Sequence, residues 1–271
     1  MKTYRGAVRV TAGFAVAVLG SVGLLAVVPQ SAGAATKPAT SACGTATGTY
    51  YKEVMSLHPL AYYRLDESAG LTACDDSGNG NSGTYAASGV DYGVPGALKN
   101  STDTAISAEG GANPVTVDSS SLPTGSPAFT MEGWFSTTST QDQMLVDMGT
   151  NADTDGVVGL GVWNSDSLLY IDMFRDDVNF PIPSKKVLSD GKWYFIAVTH
   201  SAKGKVVGYL DGKSLGSVTH GALDLQGQEL RIGWWVDTVY NQPFIGSMDE
   251  VAVFPKALSA TQVAAEYSAG R

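Results

Sequence analysis

Short runs of alternating or unbroken apolar residues recur along the chain from residue 61 onward, separated by Gly, Asp, Asn and Ser. This is the pattern of β-strands bounded by turns. The best-marked runs are Ala61–Leu65, Phe129–Ser136, Met144–Met148, Val157–Trp163, Leu168–Phe174, Trp193–Ser201, Lys205–Leu210, Lys213–Val218, Leu230–Trp234 and Ile245–Phe254. No helical pattern alternates with them, which disfavours a parallel α/β sheet and points to an all-β sandwich or barrel.

Individual runs carry more detail. Asp211-Gly212 stands between VVGYL and KSLGSV, the signal of a type I′ hairpin joining two antiparallel neighbours. In WYFIAVTHS both alternating sets, Trp193/Phe195/Ala197 and Tyr194/Ile196/Val198, are apolar, so this strand is expected to be central and covered on both faces. Two helices are predicted at the ends. Tyr50 to Leu57 has apolar residues near helical spacing with Thr49 as its cap, and Ser259-x-x-Gln262 forms a capping box for a helix over Ala260 to about Ala269. Leu258 and Val263 take the staple positions, and Val263 and Tyr267 share one helix face.

The first residues follow another logic. Lys2, Arg5 and Arg9 precede an apolar stretch from Val10 to Val28, then Pro29 and small residues through Ala34 and Ala35. That order reads as a secretory signal peptide over 1–35, with a retained membrane anchor as the competing reading. Residues 36–49, rich in Ala, Thr, Gly and Pro, read as a linker, and 50–271 as one domain. Removing residues 1–35 leaves 14 basic against 26 acidic residues, a formal charge of −12. Such a surface repels phosphate backbones and anionic lipid, so neither nucleic acid nor membrane insertion of the mature chain is expected. In an exported chain the two cysteines, Cys43 and Cys74, are expected to form a disulfide, with two buried thiols as the alternative.

Several segments together resemble a known family. YYRLDESAG at 62–70, DDSGNG at 75–80 and GVPGAL at 93–98 are similar to the opening of bacterial laminin-G-like jelly rolls of the concanavalin A-like superfamily. FTMEGWF at 129–135, DGKWYFIAVTH at 190–200, YLDGK at 209–213 and IGSMDEVAVFPKALSATQV at 245–263 are similar to the rest. The resemblance spans Tyr50 to the C-terminus and is densest over 126–262. It implies a two-sheet antiparallel jelly-roll sandwich with its first and last strands adjacent, working as an accessory module that binds sugars or proteins.

Candidate chemistry is sparse. Jelly-roll glycosidases need two carboxylates projecting from one strand face, and no E-x-D-x-x-E triplet occurs. Glu132 stands alone and reads as a solvated or hydrogen-bonded carboxylate, while Asp249 and Glu250 are adjacent and so expected on opposite strand faces. His58, His200 and His220 are too scattered for a zinc motif, and no serine sits in a nucleophile elbow. DDSGNG offers Asp75 and Asn79 as oxygen ligands, and the resemblance implies that Asp249 approaches that turn; one structural calcium ion or a metal-free Asx-type turn both fit. For a ligand, GWWVDTVYNQPF places Trp235, Asp237, Tyr240, Asn241 and Gln242 together, with Trp163 in a second loop. Aromatic faces beside planar hydrogen-bonding groups suit a sugar ring. Ile232 and Trp234 share a strand face expected to fill the core, leaving Trp235 exposed. The sequence therefore reads as a secreted, non-catalytic binding module with a polysaccharide or glycoconjugate as leading partner. An extracellular protein partner is the alternative and a glycoside-cleaving enzyme the third reading.

Overall fold

The computed structural model describes residues 43–44, 46–111, 113–151, 156–164, 168–172, 178–181, 188–234 and 242–271. The expected signal peptide and most of the linker before Cys43 lie outside these residues. Helix α1 (Thr49–Ser56) precedes β1 (Ala61–Tyr63), β2 (Thr72–Ala73), β3 (Gly83–Tyr85), β4 (Val90–Pro95), β5 (Thr104–Glu109) and β6 (Val115–Asp118). Then come β7 (Phe129–Ser136), β8 (Gln143–Asn151), β9 (Gly156–Trp163), β10 (Leu168–Asp172) and β11 (Val178–Pro181). The chain continues through β12 (Tyr194–His200), β13 (Lys205–Leu210), β14 (Lys213–Thr219), β15 (Glu229–Ile232), β16 (Ile245–Phe254) and α2 (Ala260–Ala269).

The strands form two antiparallel sheets. The first runs β14-β13-β12-β7-β16-β5-β4, with β1 paired to the far part of β16; the second runs β11-β10-β9-β8-β15-β6-β3-β2. The chain passes from sheet to sheet between β1 and β2, β3 and β4, β5 and β6, β6 and β7, β7 and β8, β11 and β12, β14 and β15, and β15 and β16, the jelly-roll connection. First and last strands are neighbours, with Tyr62 opposite Ala252. No helix among the described residues is long and apolar enough to cross a membrane.

Alternation along the strands explains how both faces of the first sheet are buried. Tyr194, Ile196 and Val198 of β12 join Phe129, Met131 and Phe135 of β7 and Val251 and Val253 of β16 in the core between the sheets. The opposite set, Phe195, Ala197, Trp134, Ala252 and Phe254, faces outward and is covered by Tyr50 and Val54 of α1 and Val263 of α2. The helices therefore exist to bury a second apolar face, and most of their stability comes from that packing.

Their caps differ. Ser259 and Gln262 close the expected capping box on α2, and Leu258 and Val263 are both buried. At α1 the N-cap is Gly48 at φ 117, with no side-chain cap, and Thr49 is already the first helical residue. Thr49 therefore does not cap the helix; a glycine in a conformation closed to other residues turns the chain into it. The β13–β14 hairpin has Asp211 at φ 50 and Gly212 at φ 72, the paired positive angles of a type I′ turn.

Candidate functional site

The outward face of the second sheet carries an aromatic pair on a glycine floor. Register places Tyr170 of β10 opposite Gly161 of β9, and Leu168 opposite Trp163. A Cβ on Gly161 would lie 2.8 Å from the Trp163 ring and 2.9 Å from the Gln143 carbonyl oxygen, so the indole rests on a position only glycine can fill. Trp163 stacks on Tyr170 with ring centroids 3.7 Å apart. Tyr170 is buried beneath it, while Trp163 stays half-buried and leaves part of its indole accessible.

Polar groups flank this platform. Met144 packs with Trp163 and donates its N–H to the Gln242 carbonyl oxygen at 3.1 Å, which brings Gln242 alongside. A bulge between Met144 and Val146 sets Asp147 on the same side, opposite Gly159 and Arg231. Arg231 donates to Asp147 Oδ1 at 3.2 Å and to the Gly149 carbonyl oxygen at 3.1 Å, and its other Nη lies 2.6 Å from Glu229. Of the expected sugar-binding residues, Trp163 packs on Met144 and Gln242 is tied to the same residue through its main chain, whereas Trp235, Asp237, Tyr240 and Asn241 lie outside the described residues. Trp234 corrects an expectation: it is half-buried rather than in the core. Strand β15 ends at Ile232, and Gly233 follows at φ 81, which breaks the two-residue alternation on which that placement rested.

The DDSGNG segment forms a turn tied to β1. Asp75 Oδ1 accepts the N–H groups of Tyr62 and Ser77, each at 3.0 Å, and Oδ2 accepts that of Asn81 at 2.8 Å. Asn79 Nδ2 donates to the carbonyl oxygens of Pro59 and Leu60 at 3.0 and 3.1 Å. Main-chain donors thus reach both Asp75 oxygens, as in an Asx turn. Beside it, Cys43 and Cys74 are disulfide-bonded with Cα atoms 5.6 Å apart.

Asp249 is grouped elsewhere. In its pairing with β7, strand β16 bulges between Asp249 and Ala252, and Glu250 sits at φ 55. Met248 and Val251 both face the core, so the two acids between them leave on the same side. The expectation of opposite faces is corrected by that one extra residue. Asp249 and Glu250 meet Asp103, with one oxygen of each within 4.8 Å of the others. Burial pushes the pKa of all three carboxyls upward, against the pull of Arg64.

Glu132 is likewise not solvated. It and Glu266 of α2 are both wholly buried, and each carboxyl faces the other beneath the helices. Burial drives the Glu132 pKa far above the usual carboxylate range and that of Glu266 to about 8. Trp134 and the two helices cover this pair, which leaves a glycoside no approach to it. His200 and His220 do meet, with rings 5.2 Å apart, but among the described residues no third ligand joins them.

Sequence reasoning passed over Tyr170, Asp147, Arg231, Asp103 and Glu266. Glu266 was readable, because it lies three residues after Val263 and so shares the buried helix face. Asp103, alone in a polar stretch, gave no signal.

A family model described as the concanavalin A-like lectin/glucanases superfamily matches residues 109–264. No curated relative matches the chain. Among solved structures, the chain resembles the botulinum neurotoxin serotype D binding domain at 14% identity and TM-score 0.57, covering 80% of this chain and 52% of that one. It resembles the binding domain of Paraclostridial Mosquitocidal Protein 1 at 16% and 0.58, covering 79% and 52%. It also resembles the botulinum neurotoxin serotype D ligand binding domain in complex with N-acetylneuraminic acid at 14% and 0.54, covering 82% and 52%. The chain spans about half the length of these structures, and at such identities the likeness is one of fold.

Proposed function

We propose that this chain, which belongs to the concanavalin A-like lectin/glucanases superfamily, is a secreted, non-catalytic binding module for a polysaccharide or glycoconjugate. The observation that carries the reading is the Trp163 indole, stacked on Tyr170 across Gly161 and only half-buried. A flat aromatic surface held rigid from below covers the apolar face of a sugar ring at little entropic cost, while nearby amides take its hydroxyls. Trp235, Asp237, Tyr240 and Asn241, which lie outside the described residues, are further sugar contacts in this reading. The burial of Glu132, Asp249 and Glu250 favours binding over glycoside cleavage.

The test is a binding screen over polysaccharides and glycoconjugates, with N-acetylneuraminic acid included because one similar fold was solved with it. For whichever glycan binds, Trp163→Ala, Trp235→Ala and Tyr240→Ala are each expected to weaken affinity by about 1–3 kcal/mol, as loss of other aromatic platforms does. Binding to extracellular proteins alone would overturn the glycan reading, and release of reducing sugar that Glu132→Gln abolishes would overturn the non-catalytic one. Export predicts a mature chain starting near Ala35 or Thr36, read by N-terminal sequencing of the secreted protein.

A further inference from the structure

His200 is the last residue of β12, and it continues the inward set of Tyr194, Ile196 and Val198, so its ring points between the two sheets. It is 1% exposed and lies on Phe129 with ring centroids 5.0 Å apart. His220, just past the end of β14, returns to the same place, and the two imidazole centroids are 5.2 Å apart. The main chain fixes this approach. His220 donates its N–H to the Gly204 carbonyl oxygen at 3.0 Å, in the turn between β12 and β13. Gly204 stands at φ 79, and a Cβ there would run into the His220 carbonyl oxygen, so only glycine lets the turn close on His220. The chain beyond is held as well. Leu223 donates its N–H to Ser126 Oγ at 3.2 Å, and Leu225 exchanges main-chain hydrogen bonds with Gly125 at 2.8 Å.

The hydrogen bonding of His200 fixes which nitrogen is available. Its Nδ1 lies 2.7 Å from the Pro127 carbonyl oxygen, which has no proton to give, so Nδ1 carries the hydrogen and donates it. Nε2 is left as an enclosed acceptor that no donor reaches. Burial pushes the His200 pKa down, the Pro127 hydrogen bond opposes this and His220 adds to it, so the ring is neutral at pH 7. A buried acceptor without a donor is costly unless water or an ion meets it. A carbonyl on one ring nitrogen and a lone pair on the other is also how metal-binding histidines are oriented. Two imidazoles that share an ion at about 2.1 Å and a tetrahedral angle have ring centres about 5 Å apart. The spacing of His200 and His220 matches that value.

We propose that His200 and His220 together bind one divalent transition-metal ion, with His200 Nε2 as the inner ligand and water completing the shell on the side of half-buried His220. Among the described residues no carboxylate or thiolate forms a three-ligand group with them. Imidazole alone suits copper(II), nickel(II) and zinc(II) rather than calcium or magnesium, and copper(II) stands highest in the usual affinity order. The ion would tie the end of β12 to the chain that leaves β14 for the second sheet, and so pin that end of the sandwich. His58, exposed between α1 and β1, takes no part. The site stands independently of what the aromatic platform binds.

The experiment uses the full chain without a histidine tag, stripped with chelator and titrated separately with copper(II) and zinc(II). Saturable binding of a single copper(II) ion is expected, with nitrogen couplings in its electron paramagnetic resonance spectrum. Zinc(II) is expected to raise the melting temperature, because it binds the folded chain. Affinity for both ions falls as the pH drops below about 6, where protons compete for the imidazoles. His200→Gln and His220→Gln are each expected to weaken copper(II) affinity by at least the roughly 10- to 100-fold that loss of even an outer-shell partner costs. His58→Gln leaves it unchanged. Should His200→Gln fail to fold, His220→Gln at the half-buried position decides the matter. Absence of saturable binding, or binding undiminished in His220→Gln, overturns the proposal and leaves the two rings as a packed neutral pair. Loss of binding in a folded His58→Gln overturns it too, by placing the ion at the exposed histidine. All readouts are made without glycan, so their failure leaves the binding-module reading untouched.

Discussion

Trp134→Ala is expected to destabilise the domain by about 3–5 kcal/mol, the range for removing a buried tryptophan, and to loosen both helices. Trp134 projects from β7 to the helix side and is 1% exposed. Its ring meets Tyr50 of α1 edge-on at 6.2 Å and Phe195 of β12 at 5.2 Å, and stacks on Tyr267 of α2 at 5.7 Å. The Arg271 guanidinium lies 4.4 Å from the ring centroid on top of this group. Trp134 touches both helices and the sheet, so the cavity left by alanine closes only if a helix moves. Urea titration reads the loss, and limited proteolysis of the C-terminal segment reads the loosening. A change under about 1 kcal/mol with α2 still protected would show that the helices are held by other contacts.

Stability is expected to fall as the pH rises from about 4.5 to about 8, the interval between the ordinary pKa of a glutamate and that of buried Glu266. Burial raises the carboxyl pKa values of both Glu132 and Glu266. Glu53 adds to the rise at Glu266, while Lys256 opposes it. Neither carboxyl accepts from any other donor, so the folded state keeps a proton on the pair that the unfolded chain gives up. The folded pKa being the higher one, this contribution is complete below the unfolded pKa and is lost as the pH climbs through the folded one. For each extra proton the slope approaches about 1.4 kcal/mol per pH unit. Asp76, raised to about 6 by burial, works in the same direction over a narrower interval. Denaturation midpoints measured across this interval test the sign. Glu132→Gln should flatten the profile and raise stability most at the alkaline end, because its amide donates to Glu266 without needing a proton. An unchanged profile would show that the pair is not the group responsible.

The parts of the fold that were legible are those written in neighbouring residues. Asp211-Gly212 specified its hairpin because few other dipeptides tolerate two positive φ angles, and the two apolar sets of β12 announced a strand covered on both sides. The Ser259–Gln262 box marked the start of α2 through contacts spanning one helical turn. The site was less legible. Trp163 was visible as an aromatic beside polar residues, but its partner Tyr170 became part of the platform only through the cross-strand register that sets it opposite Gly161.

By itself the sequence determined the fold class, ten of the sixteen strands among the described residues and the two end helices, since periods of two and 3.6 residues and turn chemistry are local properties. Tertiary structure alone decided which way the irregular residues point. Alternation through Ile232 carried Trp234 into the core until Gly233, at φ 81, broke it. Alternation through Met248 separated Asp249 from Glu250 until the bulge of β16 turned both toward Asp103. Such breaks are set by pairing with strands far away in the chain, where one inserted residue reverses every side chain beyond it.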